Sequence, residues 1–223
     1  MTEPSIPLAS LLAAAYKTER AASRRLMSTG LTEHEALLRT LTVSAGRQGL
    51  DALLDARIAL RDHAQERADA RTAMQSRRPD TDNVITPWCG WFDGSAHPNP
   101  GRCGIGALLL GPSDERIEIA RAAGYGNSSE AEYHAIIALL AAAVDSGAGE
   151  LTIYGDSRVV IDDLALPAHL AAASLRPLHA AAHVLMARLA SVRLRWIPRH
   201  KNGAADALSQ RGSAMHLETP DGE

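Results

Sequence analysis

The pattern of apolar residues changes near residue 87, and this change limits the folds open to the chain. Beyond it, turns containing Gly or Pro separate three short segments rich in β-branched and aromatic residues. These segments predict three antiparallel strands, WCGWFDGS, CGIGALLL and RIEIARAAGY. Helix and strand patterns then alternate, with a helix over 129–146, the strand LTIYGD, helices over SRVVIDDLA and 175–190, the strand VRLRWI and a last helix from about Gly203. This order predicts an α/β fold with a mixed five-stranded sheet flanked by helices.

The residues before this change have a helical pattern throughout. Three helices are predicted, over 8–26, 32–45 and 50–75. Gly30 is placed to end the first helix. Thr32 and Glu35 have the spacing of a capping box, in which a hydroxyl and a carboxylate satisfy backbone N–H groups reciprocally, and they start the second helix. Gly46 and Gly49 then interrupt the pattern.

The segment RRPDTDNVITP combines prolines, charges and Asn, which is typical of a linker. We therefore predict a helical N-terminal region of unassigned role over 1–80, a linker over 81–87, an α/β domain over 88–212 and a disordered tail over 213–223. The Leu and Ala stripes of the first region would serve self-association. Four basic residues at helical spacing would either contact phosphates or form a solvated face: Lys17, Arg20, Arg24 and Arg25.

Composition limits the class of protein. Of 223 residues, 46% are apolar and 22% charged, and no apolar run approaches the roughly 18 residues that cross a bilayer, so we expect a soluble protein with no membrane partner. The N-terminus lacks a basic leader, and Cys89 and Cys103 form no CxxC motif, which together favour the cytoplasm. The net charge of −3 argues against indiscriminate binding of nucleic acid.

Four acidic residues stand in four separated signatures. They are Asp93 in FDGSAHPNPG, Glu132 in EAEYHAII, Asp156 in YGDSRVV and Asp206 in NGAADALS. Hard cations such as Mg²⁺ prefer carboxylate oxygens, and two such ions close together can clamp the attacking and leaving oxygens of a phosphodiester. The set therefore predicts a nuclease with two Mg²⁺ ions per site, with Mn²⁺ as a substitute.

Helical geometry selects Glu132 over Glu130. Residues three, four, seven and eight apart share a helix face, and from Glu132 this face holds only apolar residues, Ala135, Ile136, Leu139 and Leu140. From Glu130 the same offsets give a mixed set. Glu132 is therefore expected to point toward the sheet, and Glu130 to act at the helix N-terminus.

Each acid also has an ordinary structural interpretation. Asp93 and Gly94 form a pair common in turns, Asp156 precedes a helix and fits an N-cap, and Asp206 lies in the first turn of a helix, where acids are favoured. Two further motifs are not read as sites. His179 and His183 lack the glutamate of a zinc protease motif, and GRCGIG lies between two strands.

At the four acidic signatures the chain resembles the catalytic domain of type 1 ribonuclease H over about residues 87–212. The glutamate in the triplet AEY, the pattern DGSxxxNPG and an Asn four residues before the last Asp carry the resemblance. It implies the ribonuclease H fold, an endonuclease that hydrolyses the RNA strand of RNA/DNA hybrids, and Mg²⁺ held by Asp93, Glu132, Asp156 and Asp206.

The resemblance also implies residues that contact the substrate. Candidates are Gly94 and Ser95, through the backbone of residues 94–96, then Asn99, Ser129 and Asn202. His200 lies on the loop before Asp206, where some members have a histidine that assists proton transfer or product release. The chain departs from the family at Ser128 and Ser129, where many members have an Asn pair, and in lacking a basic, Trp-containing protrusion.

The sequence is also compatible with other functions. A non-catalytic protein that binds hybrids or acts as a scaffold would keep the fold. A DNA nuclease, a junction resolvase or a sugar-kinase-like ATPase shares the wider fold, but an ATPase would need further glycine turns and a second comparable domain. Hybrid, double-stranded RNA and RNA-DNA junctions are all candidate substrates.

Overall fold

The computed structural model describes residues 6–76 and 86–215. The chain divides into two compact units, Met1–Asp69 and Ala70–Glu223. Most of the predicted linker, residues 81–85, lies outside the described residues, as does most of the predicted tail. Within the described residues, no helix is long and apolar enough to cross a membrane.

The first unit is helical, as predicted. Its helices are α1 (Leu8–Ala14), α2 (Lys17–Met27), α3 (Glu33–Ala45) and α4 (Leu50–Ser76), the last of which extends past the unit boundary. Their apolar faces bury one core, which includes Leu11, Leu37, Leu41, Leu53 and Leu54. The predicted capping box is present, with Glu35 accepting from the Thr32 N–H at 2.9 Å.

The prediction of one helix over residues 8–26 was wrong, because the chain breaks at Ala15 and Tyr16. Both residues have extended backbone. The Tyr16 N–H donates to Glu19 at 2.9 Å and starts α2, while Arg20 Nη2 donates to the Leu12 carbonyl at 2.5 Å and closes α1. Side chains of α2 thus satisfy the backbone groups that the break exposes.

An ion pair links α2 to α4 inside this unit. Arg57 donates two hydrogen bonds to Glu19, at 2.5 and 2.9 Å, and a third to the Ala14 carbonyl at 3.1 Å. The two side chains are only 12% and 11% exposed. Hydrogen bonding to Arg57 lowers the pKa of Glu19 to about 2.

Replacing Arg57 with methionine is expected to lower the free energy of unfolding of the first unit by about 2–3 kcal/mol, because Glu19 would keep a buried charge without its cationic partner, although the Tyr16 N–H would still donate to it. Since the pKa of Glu19 is lowered in the folded protein, its stabilisation is complete above about pH 4.5 and is lost as the pH falls toward about 2. Chemical denaturation followed between pH 6 and 2 measures both effects. Arg61→Met is the control, and an equal loss in both variants would contradict the role of the pair.

The second unit contains the predicted sheet. Its strands are β1 (Trp88–His97), β2 (Gly101–Leu110), β3 (Arg116–Gly126), β4 (Glu150–Gly155) and β5 (Ser191–Trp196). The order across the sheet is β3-β2-β1-β4-β5. The first three strands are antiparallel, and β4 runs parallel to both β1 and β5. The α/β fold with a mixed five-stranded sheet is therefore confirmed.

Helices cover the sheet. They are α5 (Ser128–Asp145), α6 (Arg158–Leu164), α7 (Arg176–Met186) and α8 (Gly203–Ala214). The α5 face predicted from Glu132 is fully buried in the core, at Ala135, Ile136, Leu139 and Leu140. Helix α7 ends four residues before its predicted bound, and α8 makes residues 213 and 214 helical rather than part of a tail.

Two helices approach the sheet at glycines. A Cβ built at Gly94 of β1 would meet the backbone of Ala131 and Glu132 in α5. A Cβ at Gly106 of β2 would meet the backbone of Ser209 and Ala205 in α8. The absence of side chains at these positions therefore brings α5 against β1, which carries Asp93, and α8 against the neighbouring strand β2.

The two histidines of HAAAH connect α7 to the C-terminal end of α6 and to the residues that follow it. His179 Nε2 lies 3.1 Å from the Leu166 carbonyl and His183 Nε2 lies 3.0 Å from the Leu164 carbonyl. Burial, and then the neighbouring His183, lower the pKa of His179, which keeps its ring neutral. These contacts agree with the interpretation of an ordinary helix rather than a zinc motif.

Candidate active site

Three of the predicted acids meet at one end of the sheet. Asp93 lies in β1 opposite Gly106 of β2, Glu132 in the first part of α5, and Asp156 directly after β4. One carboxylate oxygen of each lies within 4.8 Å of the others. Because β1 and β4 are parallel neighbours and Gly94 admits α5, residues distant in sequence meet here.

The surroundings of Glu132 strongly disfavour the charged form of its carboxyl group. Its Oε2 is buried and has no hydrogen-bond partner within the described part of the chain. Burial, together with the charges of Asp93 and Asp156, raises the pKa of Glu132 to about 9. The carboxyl is therefore neutral at pH 7 unless a cation compensates its charge. Glu130, by contrast, accepts from the Asn127 N–H at 2.7 Å and caps α5.

Asp93 is 5% exposed, and α8 supplies its hydrogen-bond partner. The hydroxyl of Ser209, itself fully buried, donates to Asp93 Oδ2. Burial raises the pKa of Asp93, and the charges of Asp156 and Asp206 raise it further, while the Ser209 hydrogen bond and Arg199 lower it. Ser209 thus fixes one oxygen of Asp93 and leaves the other to the cluster.

Asn202 organises the cluster from inside the protein. Its amide nitrogen donates to the Phe92 carbonyl at 2.9 Å and to Asp156 Oδ1 at 2.7 Å. Asn202 is 1% exposed and its amide nitrogen serves these two contacts, and its predicted contact with the substrate stays a prediction. The Trp196 indole N–H also donates to the Asp156 carbonyl, at 3.0 Å. Asp156 is therefore held by its side chain and its backbone, and the N-cap position of α6 falls to Ser157.

Asp206 does not join the cluster of three. It lies in the first part of α8 and pairs with Arg199 at 2.8 Å, and the Gln210 amide donates to its other oxygen at 2.6 Å. The expected group of four carboxylates is therefore a group of three with a fourth acid paired beside it. Arg199, on the loop before α8, supplies the positive charge that pairs with Asp206. Asp206 remains close enough for its charge to act on Asp93.

A polar cleft of about 340 Å³ lies at the N-terminus of α5. It is lined by Asn99, Asn127, Ser128, Ser129, Ser174 and Leu175. The structure thus brings together Asn99 and Ser129, two of the predicted substrate contacts. The side-chain oxygen Oδ1 of Asn99 accepts from the Ser128 N–H at 3.1 Å, which joins the turn after β1 to α5.

The other predicted residues have different surroundings. Gly94 is buried against the α5 backbone, which gives it a packing role whether or not a substrate approaches. The Ser95 hydroxyl lies 3.0 Å from that of Ser213 in α8. His200 is exposed on a short 3-10 helix, Arg199–Lys201, one residue from the partner of Asp206. The roles predicted for Gly94 and Ser95 as substrate contacts and for His200 in proton transfer or product release stay predictions.

Comparison with known proteins identifies the family. Residues 91–212 match the reverse transcriptase-like family. The chain belongs to this family. Ribonuclease HI of Halobacterium salinarum is 30% identical over 153 residues, which are 66% of this chain and 77% of that protein. The crystal structure of RNase H1 from the same archaeon covers 56% of this chain and 96% of its own, with a TM-score of 0.52 and 29% identity. The resemblance to type 1 ribonuclease H is thus confirmed.

Two further proteins share this reverse transcriptase-like region. Bifunctional protein Rv2228c of Mycobacterium tuberculosis is 30% identical over 119 residues, 52% of this chain and 33% of that protein, so the chain spans about a third of its length. LC11-RNase H1, solved in complex with an RNA/DNA hybrid, has a TM-score of 0.52 over 58% of this chain and 99% of its own. At 22% identity, the second likeness concerns the fold.

Sequence reasoning missed two residues of this reverse transcriptase-like site. Ser209 and Arg199 contact Asp93 and Asp206 respectively. Ser209 lies three residues after Asp206, on a neighbouring part of the same helix face, and this spacing is a signal that was available. The pairing of Arg199 had no comparable signal, since three basic or ionisable residues follow one another in RHK.

Proposed function

We propose that this chain is a metal-dependent endonuclease that hydrolyses the RNA strand of RNA/DNA hybrids. The observation that carries the proposal is the cluster of Asp93, Glu132 and Asp156, in which Glu132 Oε2 is buried without a partner within the described residues. Membership of the reverse transcriptase-like family and similarity to a ribonuclease HI support the same activity. The expected cytoplasmic location and self-association remain predictions.

The cluster fits a divalent cation by the chemistry of its donors. Three carboxylate oxygens within 4.8 Å of one another are hard ligands of the kind that Mg²⁺ and Mn²⁺ take. Their burial and mutual repulsion raise the pKa of Glu132 and Asp93, and a cation would reverse that effect. Asp93, Glu132 and Asp156 would hold one ion, and Asp206 would complete the set for two.

Bound divalent ions would supply Lewis-acid stabilisation of the attacking and leaving oxygens of the phosphodiester. The residues of the chain orient this chemistry. Ser209 and Asn202 fix the carboxylates of Asp93 and Asp156, so that little reorganisation is needed when a substrate arrives. His200 is exposed next to Arg199, the partner of Asp206, and its proposed role is to assist proton transfer or product release.

The polar cleft at α5 would contact the substrate. Asn99 and Ser129 line it together with Asn127, and small polar groups of this kind hydrogen-bond the 2′-hydroxyls that distinguish RNA from DNA. The cleft is open rather than enclosed by apolar walls, which suits a duplex better than a small molecule. The preference for a hybrid over double-stranded RNA is part of the proposal.

Arg199 is expected to compete with metal for Asp206. Replacing it with methionine removes a positive charge beside the acids and frees the Asp206 carboxylate, so the affinity for Mn²⁺ should rise on the order of tenfold. Isothermal titration calorimetry measures this affinity without substrate. Arg188→Met removes the same charge from an exposed position on the same unit. Equal affinities in the two variants would show that the pairing with Asp206 has no bearing on metal.

The activity is tested with labelled RNA in RNA/DNA and RNA/RNA duplexes and labelled DNA in DNA/DNA duplexes, each with Mg²⁺, Mn²⁺ or EDTA. We expect metal-dependent cleavage of RNA in the hybrid and none in EDTA. Cleavage that persists in EDTA would overturn the metal-dependent mechanism. Binding of hybrids without cleavage under any condition would favour the non-catalytic alternative.

A further inference from the structure

We propose that the exposed basic face of α2 is a second nucleic-acid contact, which binds the phosphate backbone of the duplex that the candidate active site cleaves. The inference rests on the proposed function only for its choice of ligand. The basic face of α2 consists of Lys17, Arg20, Arg24 and Arg25, all of which are exposed. They lie in the helical unit of the chain, outside residues 91–212 that match the reverse transcriptase-like family.

The charge of this face is almost uncompensated. Residues 6–30 contain four basic residues and one acid, Glu19, which is turned away and paired with Arg57. In the described part of the chain, no ion pair is formed by Lys17, Arg24 or Arg25. Uncompensated cations on one helix face produce a local positive potential, which a polyanion neutralises.

The shape of the basic face of α2 suits an extended phosphate backbone rather than a single small anion. A shallow groove of about 350 Å³ is lined by Ala15, Lys17, Arg20, Ala21 and Arg24. The small side chain of Ala21 lies between the cations, so a phosphate chain is able to approach the helix closely. Lys17 and Arg24 are seven residues apart, which is about 10 Å along a helix and corresponds to roughly three base-pair rises of about 3.4 Å measured along the duplex axis.

A nucleic acid fits this face better than a lipid surface does. Helices that lie on membranes insert bulky apolar side chains beside their basic residues. The exposed residues of α2 are Lys, Arg, Ala and Thr together with Met27 at its end, Tyr16 is exposed at its N-cap, and Ser23 is its one buried residue. Two bulky side chains at opposite ends of the helix form no continuous apolar face. The part of the chain that contains the acidic cluster is negatively charged, since residues 86–223 contain 11 Lys and Arg against 15 Asp and Glu. A basic face elsewhere in the chain would offset the repulsion between this part and a duplex.

The test uses two double variants of the full chain that lose the same charge. Lys17→Gln with Arg24→Gln removes two cations from the face, and Arg39→Gln with Arg47→Gln removes two exposed cations from elsewhere in the helical unit. Arg20 is kept, because it closes α1. Affinity for a fluorescent RNA/DNA hybrid is measured by anisotropy in EDTA between 50 and 300 mM salt, so that cleavage plays no part.

We expect the variant with Lys17→Gln and Arg24→Gln to bind the hybrid on the order of tenfold more weakly at low salt. A plot of the logarithm of its association constant against the logarithm of the salt concentration should be less steep by about 2, since each lost phosphate contact makes this plot less steep by about 1. Double-stranded DNA and RNA should show the same loss, because phosphate contacts do not read the sugar. The second variant should bind as the wild type does.

Three outcomes would overturn the inference. They are equal losses in both variants, no loss in either, and a loss confined to anionic lipid vesicles tested in parallel. Cleavage by the wild type, measured separately with Mg²⁺, shows whether the proposed nuclease activity itself holds. A chain that cleaves hybrids but whose affinity does not depend on Lys17 and Arg24 would retain the nuclease and lose the second contact.

Discussion

Replacing Asp93 with asparagine is expected to abolish cleavage while leaving the metal-free protein as stable as before or more stable. Asp93 is 5% exposed beside Glu132 and Asp156, so removing its charge relieves repulsion in the absence of a cation. Asparagine retains an oxygen that accepts from Ser209. Cleavage of the hybrid should fall at least about 10²-fold, as for the loss of one preorganised electrostatic group.

Two measurements separate these effects. Initial rates on a labelled hybrid with Mg²⁺ give the loss of activity, and thermal unfolding with EDTA or Mg²⁺ gives stability with and without cation. Mg²⁺ should stabilise the wild type more than the variant, because an ion that binds only the folded state shifts unfolding by mass action. The exposed acid Asp145, changed to Asn, is the control. Loss of more than about 2 kcal/mol in EDTA would mean that Asp93 is a structural residue.

Replacing Gly94 with alanine is expected to destabilise the second unit by about 3 kcal/mol and to abolish cleavage with it. The new Cβ would overlap the backbone of Ala131 and Glu132, where no flexible side chain is able to move aside. Helix α5 would have to shift from β1, and the shift would displace Glu132 from the other acids.

A matched glycine makes this prediction specific. A Cβ at Gly149 meets no atom within 4 Å, so Gly149→Ala should change stability by less than about 0.5 kcal/mol. Differential scanning calorimetry and hybrid cleavage compare the two variants. If Gly94→Ala melted as the wild type does but did not cleave, Gly94 would act on the substrate, as the sequence suggested, rather than on helix packing.

The sequence predicted most elements of the second unit and chose Glu132 correctly as the acid that faces the sheet. These predictions succeeded because they rest on local periodicity. The four apolar residues in the two turns or so after Glu132 define a helix face directly, and that face is the one that packs on the strands. The succession of strands along the chain followed from the number and spacing of short β-rich segments, whereas their order across the sheet came from the structure.

What the sequence did not predict depends on contacts between distant side chains. The break at Ala15 and Tyr16 interrupts no apolar pattern and is stabilised by Glu19 and Arg20, which lie later in the chain. The burial of Asn202 depends on its hydrogen bonds to Phe92 and Asp156, which only the folded sheet brings near. Local patterns carry no information on such pairings.

The position of Asp93, Glu132, Asp156 and Asp206 along the chain has a consequence for synthesis on the ribosome. Asp93 lies in the first strand of the sheet, and the hydroxyl that orients it comes from Ser209 in the last helix. Strand β4 joins β1 only after the intervening hairpin and α5 have been made, since parallel pairing is non-local. A nascent chain therefore holds no competent set of acids until α8 emerges and docks. The complete acidic set would then form in one step with the completed domain.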